Sequence, residues 1–230
     1  ERRIVAYHEA GHALVGEILP EANPVQKISI VSRGVAALGY TLNMPTEDRY
    51  LMTRVELEDT LAAVLGGRAA EEIVFSEIST GASNDLQQAT NMAERMVKEY
   101  GMSERLGLVA HREDRGQQQF LGGSGADRAY SEETARAIDE EVGRIIRQGY
   151  QRAKSVLEQQ RDSLEKVVQI LFEKEVMDGD ELRQVLRNAG VELNEQKTTP
   201  QTEQAQNDVQ DVPAPTNGST EHPTVEDPPV

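Results

Sequence analysis

The chain has 230 residues, enough for one large domain or two small ones. It contains no cysteine, which excludes disulfides, thiolate metal sites and a cysteine nucleophile. Its 40 acidic and 24 basic residues leave a formal net charge of −16, which disfavours nucleic acid and anionic membrane surfaces as partners, and no apolar run approaches the roughly 20 residues that cross a bilayer.

The chain begins at Glu1, without a methionine or a signal peptide, directly on a segment from Arg2 to Leu19 that predicts a helix stopped by Pro20. It reads as a soluble piece of a longer protein. Within this helix, His8-Glu9-Ala10-Gly11-His12 has the form H-E-x-x-H. Histidines four apart share a helix face, with Cβ atoms roughly 6 Å apart, so both imidazoles can reach one metal ion. Glu9 sits on the same turn, placed to take a proton from water at that metal. This is the pattern of zinc peptidases. The blander alternative is an amphipathic helix with two surface histidines. Against it, the chain has only four histidines, and Ile4, Leu14, Val15, Ile18 and Leu19 make the segment apolar enough to bury. Gly11 costs about 1 kcal/mol in a helix interior relative to alanine, which makes sense if another backbone or a substrate comes close there.

Further along, Lys27 to Val31 and Ala37 to Leu42 read as a small β-hairpin or pair of strands. Thr53-Arg54-Val55-Glu56 is a capping box opening a helix towards Phe75, with Gly66-Gly67 marking a tight crossing or a break. Thr80 to Ser83 predicts a turn, with Ser83 as N-cap of a helix from Asn84 to Tyr100. Residues 107–126 read as irregular, with a flexible loop at Gly122 to Gly125. From Ser131, Ile138, Val142, Ile145, Gly149, Ala153 and Val156 recur at helical spacing. A break at Arg161 to Ser163 precedes a second apolar face through Leu164, Val167, Val168, Leu171 and Phe172. Asp178 to Glu181 can cap a short last helix through Leu186. The fold class is thus mainly α with a small β-hairpin or sheet, followed by a helical hairpin. Residues 1–194 form the folded domain. From Glu195 to Val230 there is no Leu, Ile, Phe, Tyr or Met, six of the nine prolines occur, and seven acids face one base. Such a tail cannot bury enough surface to offset its ordering entropy and is expected to be disordered and acidic. His222 lies in it and is not expected to bind metal.

A catalytic zinc needs a third protein ligand and an open position. Extension of the motif to H-E-x-x-H-x-x-G-x-x-H is excluded, because Val15 and Ile18 occupy the last two positions. His111 sits in an expected loop. Glu71 and Glu72 lie on a helix, where a solvated or salt-bridged face is the ordinary outcome. Asp85 lies in the first turn of a helix, where a carboxylate is favourable by under about 1 kcal/mol without any metal. Residue chemistry alone divides the choice between Asp85 and Glu72.

His8 to His12, Gly66-Gly67-Arg68-Ala69-Ala70-Glu71-Glu72 and Ser79-Thr80-Gly81-Ala82-Ser83-Asn84-Asp85-Leu86 together resemble the peptidase domain of the FtsH family of membrane-anchored, ATP-dependent zinc metalloproteases. Tyr100 to Ser103, Leu106-Gly107 and Ser131 to Ala135 are similar as well, and the resemblance spans about residues 1–190. It implies a zincin-type peptidase fold, one Zn2+ per subunit held by His8, His12 and Asp85, and Glu9 as catalytic base. Glu72 then remains as a group behind the ligands or an alternative ligand. The resemblance also implies a homo- or hetero-hexamer acting on unfolded polypeptides, among them damaged or unassembled membrane proteins and some soluble ones. The chain has no Gly-Lys pair, hence no phosphate-binding loop. ATP binding and the membrane anchor are expected upstream in the parent protein, with no nucleic acid involved. Two other readings compete. One is a non-catalytic oligomerisation module with a structural zinc, for which Glu9 would have no use. The other is a regulatory domain whose acidic tail recruits basic partners.

Overall fold

A computed structural model describes residues 1–31, 39–43, 51–111 and 130–194, all within one compact unit. The tail from Glu195, the loop at Gly122 to Gly125, and Ala37 and Leu38 of the expected second strand lie outside these residues.

Helix α1 (Arg2–Ile18) ends where Leu19 turns extended ahead of Pro20. Small residues along it, Ala6, Ala10 and Ala13, are fully buried, so neighbouring elements close on it from several sides. Helix α2 (Arg54–Phe75) carries the predicted capping box: the Glu56 N–H donates to Thr53 Oγ1 and the Thr53 N–H to the Glu56 carboxylate. The two helices cross backbone to backbone. A Cβ on Gly66 would stand 2.6 Å from the Gly11 carbonyl oxygen, and one on Gly11 would stand 2.5 Å from that of Gly66. The Gly66-Gly67 pair therefore marks a crossing and leaves α2 unbroken.

A 3₁₀ turn (Thr80–Ala82) leads into α3 (Ser83–Lys98). Ser83 is the first helical residue and not the cap; Ser79 accepts from Gly81 N and caps the 3₁₀ turn instead. Helix α4 (Glu132–Gln159) begins at its Ser131 cap, and α5 (Arg161–Lys174) follows after Gln160 alone. Helix α6 (Gly179–Asn188) is capped by Asp178, which accepts from Glu181 N.

The sheet has three strands where two were expected. Strand β1 (Val25–Ser29) starts two residues before the predicted strand, and pairs antiparallel with β2 (Tyr40–Asn43). Its other edge takes β3 (Val176–Asp178), opposing Met177 to Ile28. Three residues are too few for any periodicity to betray, so β3 is created by tertiary pairing. Among the described residues, the order β2-β1-β3 leaves β2 at an edge.

Two apolar clusters result. One surrounds α1 with Leu14, Ile28, Leu164, Leu171, Leu182 and Leu186; the other joins α2, α3 and α4 through Leu61, Leu65, Met96 and Ile138. A buried ion pair ties the first together. Glu17 on α1 accepts from Val25 N at 2.7 Å and from Arg183 of α6 at 2.9 Å. Removing one partner of such a pair strands a charge, at a cost of about 3–5 kcal/mol. No helix among the described residues is long and apolar enough to cross a membrane.

Alanine at an open helix position in place of glycine adds up to about 1 kcal/mol of stability. Gly66→Ala should do the reverse, lowering unfolding free energy by about 1–3 kcal/mol through overpacking, as urea denaturation will show.

Candidate metal centre

His8 and His12 project from adjacent turns of α1 with their ring planes 81° apart and their Nε2 atoms 3.0 Å from each other. The first turn of α3 brings Asp85 Oδ2 to 3.1 Å from His8 Nε2 and 3.4 Å from His12 Nε2. A tetrahedral zinc with ligands at about 2.0–2.1 Å separates its ligand atoms by about 3.3 Å, so the three atoms match a zinc cradle. Among the described residues, this is the one cluster of three histidines or acids able to share a cation.

Proton placement supports the same conclusion. His8 Nδ1 donates to Glu71 Oε1 at 2.8 Å, and His12 Nδ1 donates to the Ala63 carbonyl at 2.9 Å. An amide N–H from Gly67 lies 3.4 Å from His12 Nδ1, too distant to compete. With each Nδ1 carrying its ring's proton, both Nε2 atoms of the neutral rings present lone pairs to each other and to a carboxylate. Three electron-rich atoms held that close repel unless a proton or a metal cation sits between them. Without metal, a proton on Nε2 takes that place and is donated to Asp85. Burial drives the His8 ring towards neutrality, but the hydrogen bond to Asp85, the charges of Glu9 and Asp85 and the hydrogen bond to Glu71 outweigh it and hold its pKa above the ordinary value. Burial pushes the Asp85 carboxyl up, yet hydrogen bonds from His12 and His8 prevail and hold it well below the usual range.

Glu71 does two jobs. It is only 1% exposed, orients His8 through one oxygen, and accepts from Ser79 N at 2.9 Å through the other. Ser79 opens the turn that delivers Asp85, so one buried carboxylate steadies two candidate ligands. Gly67 clears the remaining space: a Cβ there would lie 2.5 Å from His12 Nε2. Glu9, 7% exposed, has its carboxylate against the Thr41 hydroxyl of β2 at 2.7 Å. A cleft of about 810 Å³ opens over the site, lined also by Leu42, Asn43, Thr60 and Val64.

The other acids and histidines singled out by sequence sit elsewhere. Glu72, one residue past Glu71, is rotated about 100° around the helix. It accepts from Lys154 Nζ and from Tyr150 Oη, which hold its carboxyl below the usual range, while burial and the Glu72 carboxylate push the tyrosine hydroxyl up. It neither joins the cluster nor touches its ligands. His111 donates its backbone N–H to the Lys98 carbonyl, and its ring stands edge-on to Tyr130. His222 lies outside the described residues. Sequence reasoning missed the orienting role of Glu71. A signal for it existed, because Gly67 and Glu71 are four apart and share the face that meets α1. The contact of Thr41 with Glu9 has no local signal.

Residues 1–185 match the sequence profile of peptidase family M41. The ATP-dependent zinc metalloprotease FtsH of Syntrophobacter fumaroxidans is 55% identical over 185 residues, which cover 80% of this chain and 29% of that protein. The ATP-dependent zinc metalloprotease FtsH 4 of Synechocystis sp. is 55% identical over 189 residues, 81% of this chain and 30% of its own length. The ATP-dependent zinc metalloprotease FtsH of Bacillus subtilis is 48% identical over 187 residues, again 81% of this chain and 29% of its own. The chain thus spans about three-tenths of the length of these curated relatives.

Replacing the orienting carboxylate should weaken the site without emptying it. Glu71→Gln is expected to lower zinc affinity about 10–100-fold in chelator competition. In the wild type, apparent zinc affinity should fall as pH drops below the folded pKa of His8, which lies above 6.5, because the His8 imidazole takes up a proton while Asp85 stays ionised.

Proposed function

The chain belongs to peptidase family M41 and is a zinc metalloendopeptidase, and we propose that His8, His12 and Asp85 hold one zinc per chain while Glu9 acts as general base. The observation that carries this assignment is the convergence of two Nε2 atoms and one carboxylate oxygen at the foot of an open cleft. Zinc bound there supplies Lewis-acid polarisation of the scissile carbonyl and lowers the pKa of water to about 7. Glu9 takes the proton from the attacking water and hands it to the departing amine. A structural zinc site is closed by four protein ligands and needs no neighbouring base. Three ligands facing a cleft, with a buried glutamate beside them, favour the catalytic reading over the oligomerisation module.

Strand β2 supports a binding mode for the substrate. It is an edge strand, and Tyr40, Thr41, Leu42 and Asn43 all line the cleft. An extended peptide adding to that edge would gain main-chain hydrogen bonds and pass over the metal. Such binding demands an unfolded segment. The relatives are named ATP-dependent zinc metalloproteases and are about three times as long as the matched region. On that basis residues 1–194 are proposed as the peptidase domain of an ATP-dependent protease, with 195–230 as its acidic tail; a membrane anchor and a hexameric assembly follow from the FtsH resemblance alone. ATP is handled by another part of that protein, which feeds in damaged or unassembled membrane proteins and some soluble ones.

With casein as substrate, Glu9→Gln should abolish hydrolysis and retain stoichiometric zinc. Asp85→Ala should lose both metal and activity, whereas Glu72→Ala should keep both. An active Glu9→Gln enzyme would falsify the assignment of the base. Without ATP, the isolated chain should cleave flexible substrates and leave a stably folded one intact; degradation of the folded one would exclude dependence on a separate unfolding module.

A further inference from the structure

We infer that Thr41 is a positioning residue for the general base: its hydroxyl fixes the direction of the Glu9 carboxylate. The inference rests on the reading of Glu9 as base and adds a second residue to it. Thr41 Oγ1 lies 2.7 Å from Glu9 Oε2 and 3.1 Å from the Glu9 backbone carbonyl. The short contact to the ionised oxygen is the charge-assisted one and takes the hydroxyl hydrogen. Two positions earlier on the same face of the chain, Gly39 makes room for the same side chain. A Cβ there would stand 2.9 Å from Glu9 Oε1 and 3.0 Å from its Cγ. The carboxylate is therefore bracketed by a donor at residue 41 and by the absence of a side chain at residue 39.

The bracket is itself fixed from the core. Thr41 opposes Ile28 across the β1–β2 ladder, and Ile28 is fully buried. A glutamate has three rotatable side-chain bonds, and a base displaced by about 1 Å can lose on the order of 10²-fold in rate. The hydroxyl removes that freedom before any substrate arrives. Because Thr41 belongs to the edge strand proposed to receive the peptide, substrate alignment and base alignment are set by one strand.

Zinc-loaded wild type, Thr41→Val, Thr41→Ser and Glu9→Gln are to be compared on a flexible fluorogenic peptide. Valine is nearly isosteric and favours strands, so Thr41→Val should fold and keep its zinc. Its kcat should fall about 10–100-fold, with KM within about twofold of wild type. Thr41→Ser, which keeps the hydroxyl, should recover most of that loss. A crystal structure of zinc-loaded Thr41→Val should show the Glu9 carboxylate turned from its wild-type direction. An unchanged kcat, a loss confined to KM, a serine variant as slow as valine, or an unmoved carboxylate would each overturn the inference. Failure of the underlying reading is distinguishable, since it shows as an active Glu9→Gln enzyme whatever the Thr41 variants do.

Discussion

Everything at the metal depends on how closely α1 and α2 approach. Gly11 and Gly66 let the two backbones touch, and no other residue pair fits there. That contact aligns one stripe of α2 along the turns of α1 that carry His8 and His12. Ala63, Gly67 and Glu71 are spaced by four, so they lie one above another on the helix. Ala63 offers a carbonyl to His12, Gly67 leaves space for both rings, and Glu71 offers a carboxylate to His8. Each imidazole is thereby fixed in tautomer and rotation from behind. A helix crossing at ordinary distance would leave both rings without their partners.

What could be read from the sequence divides along physical lines. Features set by neighbours on one helix were legible: the H-E-x-x-H turn, the Thr53 capping box and the Asp178 cap. Features made by distant chain segments were not. The strand Val176–Asp178 exists because β1 offers it an edge, and β1 itself starts at Val25 where the local pattern pointed to Lys27. The choice between Asp85 and Glu72 stayed open on residue chemistry and was tipped by family resemblance. Their separation depends on where α3 begins and how α2 is rotated, which no local rule supplies. Glu71, adjacent to Glu72, is in the same position: its burial follows from the crossing, and a helix read alone treats it as a solvated acid.

Charge placement in the interior had the same fate. Glu17 with Arg183, and Asp59 with Arg152, are ion pairs whose acids are fully buried. Composition gives every acid the prior of a surface residue. Their partners lie far away in sequence, so only the folded chain reveals them. Helix α1 thus carries His8, Glu9 and Glu17 into the interior, an arrangement it could not sustain by propensity alone. The proposed metal at the His8 end and Arg183 at the other offset the desolvation.

The Glu17–Arg183 pair also bears on how such a peptidase unit can be delimited. Gly179 lies against the Val25 carbonyl so tightly that a Cβ would intrude to 1.9 Å, and Arg183 reaches past it to the acid at the end of α1. The last short helix is therefore a keystone for the first. A boundary drawn after α5, where the apolar hairpin is complete, would leave Glu17 an interior anion without its arginine and loosen the helix that presents both histidines. Excision from a larger polypeptide must extend through Asn188 to preserve a working centre.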